Sequence, residues 1–552
     1  MDRNTLLAFF LIAIVLIFTP YYMGLVDPLP EAPAPETRQD TTQQKTAASA
    51  ETKITKTPVT GESIVAGFYK EEKTLTLRTD LYEAVISSRG GGSFKSFVFN
   101  NYFTKDSNRV ELINGLNQNN LQIQFKNLDG ASIDLSGPWE YTGAFTGGMI
   151  YGPESLVFIA NVSPGKKIVK TLTFRPDTYI IDVSINVDEI KDQVFAGTYS
   201  LGWFGGLTTT EENKTDDHIY FKSYVYQGGE LEDLKLSEGE SESLNFNGAT
   251  DWVAIRTKYF ITSLIPSDPK IVVSASIGGK YEEREIYDMA LSLTVNKPAD
   301  LSLFLGPLEY DRIKSVGRDL DQVMNFGILF VRPISKSVLW VLKKMHGYIP
   351  NYGFILIIFA FGVKLLVYPL TKKSYQSTAA MQRLQPEITA LKDKYKNNAQ
   401  KLNQATMKLY KEKGVNPLGG CLPMLLQMPL LFALFVVFRT TIELRAEPFI
   451  WWIKDLSAPD AVFTLPFSIP IYGAHVAILP ILMVVSMFIQ QRMMSGGAAQ
   501  QPQQKMMQYF MTGFFFLMFN TFPSGLNLYY TLFNVLTIAQ QKLIPPTETL
   551  TS

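Results

Sequence analysis

The chain has 552 residues, 51 Lys+Arg against 51 Asp+Glu, and a single cysteine, Cys421. That length exceeds one ordinary domain, and the lone thiol excludes both an intramolecular disulfide and a multi-cysteine metal site. The balanced charge hides an uneven distribution, with apolar residues crowding both ends of the chain around a polar middle.

The run LLAFFLIAIVLIF near the N-terminus suits a signal peptide or an anchor. Cleavage requires small residues just after such a run, and Thr19, Pro20, Tyr21 and Tyr22 stand there instead, so an uncleaved first helix is expected within residues 1–26. Residues 27–64 carry Pro28, Pro30, Pro33 and Pro35 and then a Thr-, Gln- and Lys-rich stretch with little to bury, which predicts a flexible tether. From Val65 the apolar period becomes two: Ile181, Val183, Ile185 and Val187 share one face, and Asp182, Ser184, Asn186 and Asp188 the other. Similar runs near Thr74, Ile271 and Leu291, separated by turns such as Gly90-Gly91-Gly92, predict a β-sandwich over residues 65–320 with its last strand ending near Gly306-Pro307. At roughly 250 residues it is large enough to hold together by burial alone. Residues 321–350 are amphipathic, with Val338 to Leu342 apolar and Lys336, Lys343, Lys344 and His346 polar. They read as a helix lying in the membrane interface, or as one packed on the sandwich.

Five further apolar segments follow, over residues 351–371, 417–440, 472–492, 506–522 and 523–543. With the first helix they predict six spans and both termini on one side. Loop 372–416 carries Lys372, Lys373, Arg383 and seven lysines from Lys392 to Lys413, against only Glu387, Asp393 and Glu412. Loop 441–471 is slightly acidic and contains the pair Trp451-Trp452, while loop 493–505 is again basic. The positive-inside rule therefore puts the basic loops, both termini and the tail 544–552 in the cytoplasm, and the sandwich outside. Within the basic loop, apolar positions at helical spacing predict a small, mobile hairpin of helices over Ser374–Lys396 and Lys401–Lys413.

Polar residues inside the spans are not scattered. Lys364 sits within YGFILIIFAFGVKLLVYPL, where a cation costs about 2.5–3.5 kcal/mol on insertion scales. In the last span Tyr530, Asn534, Thr537 and Gln541 share one helix face, as do Met483, Ser486, Met487 and Gln490 in the fourth. Gln427 lies beside Pro429, which leaves the Leu425 carbonyl without its backbone donor, and Pro423 does the same to Gly419. Two readings stand side by side. In one, Lys364, Gln427 and the Tyr530–Asn534 face line a hydrated cavity. In the other, Lys364 snorkels roughly 9 Å to the end of its helix, and the polar stripe only holds helices together.

No Gly-Lys-Ser/Thr ending follows Gly90-Gly91-Gly92, so it is no phosphate loop. His218, His346 and His475 are too far apart in sequence to suggest a zinc site. No catalytic residue, metal or cofactor is assigned.

The segments VKLLVYPLTKKSYQSTAAMQRLQPEI, VNPLGGCLPMLLQMPLLFALF, FIWWIKDLSAPD and FPSGLNLYYTLFNVLTIAQQ, in that order between Asp321 and Leu543, resemble the bacterial YidC family of membrane protein insertases, shared with mitochondria and chloroplasts. The long β region resembles, in pattern alone, the Gram-negative form, whose sandwich is related to sugar mutarotases. The resemblance implies a multi-pass α-helical membrane protein with six transmembrane helices, five of them forming the insertase core, and an all-β periplasmic sandwich domain. It implies a groove open to cytoplasm and lipid and sealed on the outer side. The family's groove cation, usually arginine, matches Lys364; groove positions match Tyr368, Gln427 and Tyr530, with Asn534 one turn beyond. Met428 and Leu431 match positions that guide the client. Lysine keeps the charge of arginine but loses its fork of five donors. The resemblance further implies an inner-membrane location and, as partners, nascent membrane proteins, lipids, the Sec translocon, and a ribosome or targeting factors gathered by Lys392, Lys394 and Lys396. Nucleic acid would be met only through the ribosome.

Two rival classes remain. A small-solute transporter usually shows internal repeats with paired broken helices, and the five-helix block has none. A sugar-converting enzyme of the mutarotase kind wants two histidines and an acid, whereas the β domain holds only His218. That leaves a non-enzymatic surface, for partner proteins or sugars.

Overall fold

The computed structural model describes residues 64–65, 71–115, 119–211, 213–395, 398–415, 422–469, 472–494 and 502–543. The expected first span, nearly all of the tether and the C-terminal tail lie outside these residues.

Alternating burial builds the β domain. Ile181, Val183 and Ile185 are buried along the strand Ile180–Asn186, which pairs antiparallel with Lys166–Phe174 on one side and Ala299–Pro307 on the other. These strands belong to a nine-stranded sheet that also takes in Glu230–Leu234, Lys222–Gln227, Trp252–Arg256, Phe260–Pro266, Glu154–Ser163 and Glu140–Tyr141. A seven-stranded sheet runs in the order Ile64–Val65, Ser132–Asp134, Gln122–Lys126, Thr198–Trp203, Glu285–Thr294, Val272–Tyr281 and Ser241–Asn247. A five-stranded sheet is centred on Ser93–Phe103 and Tyr82–Ser87. Apolar faces of all three sheets join one core, including Leu172, Leu291, Trp203, Phe94 and Phe97.

The turn Gly90-Gly91-Gly92 explains its composition here. All three residues have positive φ (58°, 72° and 101°). A Cβ at each would meet the side chains of Gln122, Trp139 and Leu172 at 2.3, 2.6 and 2.6 Å. The turn is thus a packing point between sheets, and the fully buried Lys170 completes it. The Lys170 ammonium donates to Gly90 O (3.1 Å) and Leu121 O (2.5 Å), so one side chain of the nine-stranded sheet ties down the other two.

Ten helices are described: α1 (Lys214–Tyr220), α2 (Tyr310–Val316), α3 (Arg332–His346), α4 (Tyr352–Arg383), α5 (Gln385–Lys394), α6 (Ala399–Glu412), α7 (Leu422–Thr440), α8 (Ile478–Met494), α9 (Pro502–Phe519) and α10 (Ser524–Leu543). Several boundaries differ from those expected. α4 starts where the Asn351 side chain accepts from Phe354 N (3.2 Å) and continues past Leu370 to Arg383, stopped by Pro386 at the start of α5. The expected hairpin helix from Ser374 is therefore divided between the end of α4 and α5. Gly473–Ala477, read as the beginning of a span, is a strand paired with Ala461–Ile469, and α8 begins only at Ile478. Of residues 321–350, the helix occupies Arg332–His346, and it buries Val338, Leu339 and Leu342 while leaving Trp340 exposed.

Among the described residues α4 is the one helix long and apolar enough to cross a membrane by itself; shorter apolar runs occupy Gln427–Thr440, Ile478–Met493 and Tyr509–Phe519. The polar stripe of α10 lowers its own hydropathy.

Charged residues join the β domain to the bundle. Asp216 on α1 accepts from Lys258 Nζ (2.5 Å) and from Arg439 at the end of α7 (Nη2 2.5 Å, Nε 3.1 Å). Burial alone would raise the Asp216 carboxyl, but these two cations hold it below its usual range. Arg445 donates to Glu211 (2.8 Å) and to Phe103 O (2.8 Å). Lys343 of α3 bridges Asp311 on α2 and Glu443 just beyond α7, at 2.6 and 3.2 Å.

Candidate functional site

α10 packs against both α8 and α4, and its polar face supplies the meeting line. Tyr530, Asn534, Thr537 and Gln540 are all buried. Lys364 approaches from α4 and is only 7% exposed. Its Nζ donates to Thr537 Oγ1 (2.7 Å) and lies 4.6 Å from the Phe533 ring centroid and 5.8 Å from that of Tyr375. The Thr537 hydroxyl donates its own proton to Phe533 O (2.7 Å), which frees its oxygen lone pairs to accept from the lysine. Lys364 thus does not snorkel along α4: its head is tucked sideways against α10. Among the described residues no carboxylate pairs with it.

Two more polar contacts flank this one along α10. Towards the β domain, Asn534 Nδ2 donates to Ser486 Oγ of α8 (3.2 Å), and that hydroxyl donates to Met483 O (2.7 Å). In the other direction, Gln540 Nε2 donates to Thr371 Oγ1 of α4 (3.1 Å). The polar groups therefore form a seam, one contact per turn, between three helices. Gln540 and Thr371 were missed in the sequence because Gln541, the neighbour of Gln540, completes the four-three-four spacing and Thr371 is the last residue of its expected span, next to the basic loop.

Among the described residues, none of the remaining candidates joins the hydrogen bonds of the seam. Tyr368 is 41% exposed on α4. Gln427, Met428 and Leu431 lie half-buried on α7, and among the described residues no hydrogen bond links Gln427 or Tyr368 to Lys364. Tyr530 is buried beside Phe519 and Tyr529, with ring centroids 6.3 and 5.2 Å away. Lys392 and Lys394 sit on α5, and Lys396 lies outside the described residues.

Loop residues close the end of the seam nearest the β domain. Asp460 Oδ2 accepts from the first two amides of α8, Ile478 N (3.1 Å) and Leu479 N (2.9 Å), and from Trp452 Nε1 (2.9 Å). The start of α10 is tied to the same loop: Ser524 N donates to Ala458 O (2.8 Å), Gly525 N to Leu456 O (3.0 Å) and Ser524 Oγ to Asp455 O (2.7 Å). Among the described residues no group of three or more His, Cys, Asp or Glu is arranged to hold a metal ion. In the β domain His218 contacts the buried Glu285.

Two family models cover most of the chain: the YidC periplasmic domain matches residues 74–341 and the 60 kDa inner membrane protein matches residues 344–549. Membrane protein insertase YidC of Chlorobaculum parvum is 35% identical over 571 residues, covering 99% of this chain and 95% of its own. The chain belongs to the YidC membrane protein insertase family. YidC of Chlorobium luteolum is 36% identical over 569 residues, covering 99% of this chain and 96% of its own. A solved structure of an active YidC insertase is 19% identical, covers 87% of this chain and 94% of its own, and has a TM-score of 0.35. A galactose mutarotase related enzyme from Lactobacillus acidophilus is 11% identical, covers 42% of this chain and 97% of its own, and has a TM-score of 0.30. Both scores are too low to bear on the YidC assignment, which rests on sequence.

Proposed function

We propose that the chain inserts nascent membrane proteins into the inner membrane by offering them a polar seam at the lipid boundary, with Lys364 as its cation. The observation that supports this reading is the burial of Lys364 against a hydroxyl, with no carboxylate beside it among the described residues. A cation so placed favours an acidic client segment that would otherwise enter lipid unpartnered. Membership of the YidC insertase family supports the same reading.

A client's polar tail enters along α4 and α10, where the hydroxyls and amides of Thr371, Asn534, Thr537 and Gln540 replace part of its water. Its apolar helix moves along Met428 and Leu431 of α7 and past Tyr368 into lipid. Transfer of apolar surface drives the step, and a membrane potential adds about 2.3 kcal/mol per charge per 100 mV. No bond is made or broken, so the protein is not an enzyme and needs no cofactor. The proposed topology has six spans, both termini in the cytoplasm and the β domain in the periplasm, from the lysines of loop 372–416. In this reading the basic residues Lys392, Lys394 and Lys396 attract a ribosome or targeting factor, and the bundle works alone or beside the Sec translocon.

Reconstituted liposomes test the core of this. Lys364→Ala is expected to slow insertion of clients with acidic tails and to spare those with neutral tails, while Lys364→Arg retains activity. A photo-crosslinker at Leu431 is expected to capture a nascent single-span client. Wild-type insertion of every client by Lys364→Ala would remove Lys364 from the mechanism.

A further inference from the structure

The hairpin Ala461–Ala477 has no role in the seam, yet it is unusual for a surface element. Among the described residues its two strands pair only with each other, and residues 461–477 contain no Asp, Glu, Lys or Arg. Its first strand leaves Val462, Phe463, Phe467 and Ile469 exposed. Phe463 is 60% and Phe467 61% exposed. An uncharged two-stranded ribbon with exposed aromatic residues and open edges is an aggregation hazard in water, which soluble proteins blunt with charge.

We propose that this hairpin is a lipid-contacting element, lying in the membrane interface of the leaflet nearest the β domain with Phe463 and Phe467 among the upper acyl chains. Three observations carry it. The second strand runs straight into α8, whose Ile481, Leu482, Val485 and Ile489 form an exposed apolar face, so the hairpin continues that lipid-facing surface. Trp451, 83% exposed and stacked on Trp452 at 5.8 Å, marks an aromatic interface ten residues before the first strand. Finally, the second strand is fixed in place: Asn520 at the end of α9 donates to Tyr472 O (2.8 Å) and His475 O (2.6 Å) and accepts from Ala477 N (3.1 Å). Pairs such as Phe463 with Val476 and Ile469 with Gly473 then keep the outward strand beside the bundle. Its unpaired backbone edges exclude the hydrocarbon interior and set the depth at the interface, where headgroup water satisfies them.

The leaflet named rests on the proposed topology; contact with lipid does not. In the full chain with Cys421→Ser, nitroxide labels at Phe463→Cys and Phe467→Cys, in vesicles of phosphatidylethanolamine and phosphatidylglycerol, report depth by collision with oxygen and with a water-soluble nickel chelate. The expected oxygen-to-nickel ratio is several-fold above that of a label at Leu128→Cys on the β domain and close to that at Val485→Cys on α8. A ratio equal to that at Leu128 overturns the proposal. So does a ratio that rises only when a stalled client is bound, which would assign the edge to client recognition. Reduction of the same labels by ascorbate added outside vesicles of known orientation reports the side separately: lipid-like ratios on the opposite side would sink the topology and leave the hairpin's contact intact.

Discussion

Two buried lysines behave differently in this chain. Lys364 stood out in the sequence because it interrupts an otherwise apolar run, and its burial against Thr537 needed only the α10 stripe to be anticipated. Lys170 does not stand out in the sequence, although Ile168, Lys170 and Leu172 share the inward face of their strand, because lysine is ordinarily an exposed residue. Burial pushes the Lys170 amine down to about 7 from its ordinary value near 10.5. The sign follows: between these values the unfolded chain holds a proton that the folded one lacks, so this group's contribution to stability rises with pH from about 7 upward, by at most about 1.4 kcal/mol per unit. Below pH 7 the cost of burying the charge is present in full. Chemical unfolding of wild type and Lys170→Met across pH 7 to 9 is expected to show a difference that grows in favour of wild type; a difference independent of pH would refute the linkage.

At the scale of elements, the long periodic pieces were legible and their joints were not. Ile181, Val183 and Ile185 alternate without interruption, so that strand and its buried face are legible, although the alternation runs on to Val187 and Asp188, past the strand's end at Asn186. The hairpin after Asp460 was read as a loop followed by a span, because Pro466 and Pro470 interrupt its pattern and GAHVA reads as apolar in any conformation. Asp460, one of the acids of the slightly acidic loop 441–471, caps α8. Its carboxyl is raised by burial, opposed by its hydrogen bonds from Trp452 and the two amides. Asp460→Ala is expected to lower the stability of the detergent-solubilised chain by about 1–2 kcal/mol, read as an earlier unfolding transition, with Asp460→Asn close to wild type. At the opposite wall of the same closure, a Cβ on Gly525 would fall 2.3 Å from the Phe438 ring. Gly525→Ala is therefore expected to loosen the crossing of α7 and α10, seen as faster proteolysis of loop 441–471.

At the scale of the whole molecule, the division into a β domain and a helical block followed from composition and period, but nothing in the sequence linked residues more than two hundred positions apart. Asp216 and Arg439 meet only because the fold brings α1 onto the end of α7. Double-mutant analysis with Asp216→Ala and Arg439→Ala is expected to give an interaction energy of about 0.5–3 kcal/mol, as groups in one ion-pair network do. Additive effects would show that the domain and bundle merely touch there.

That junction also acts as a fulcrum. α7 carries Met428 and Leu431, which we propose guide clients, and its end at Arg439 is fastened to Asp216 of the β domain. A rotation about the fastened end is the movement of α7 that leaves this ion pair intact. For a helix about 28 Å long, a swing of about 10° carries its far end roughly 5 Å while the ion pair scarcely moves. The β domain would thus serve the bundle as ballast, holding one end of a lever whose free end faces the incoming chain.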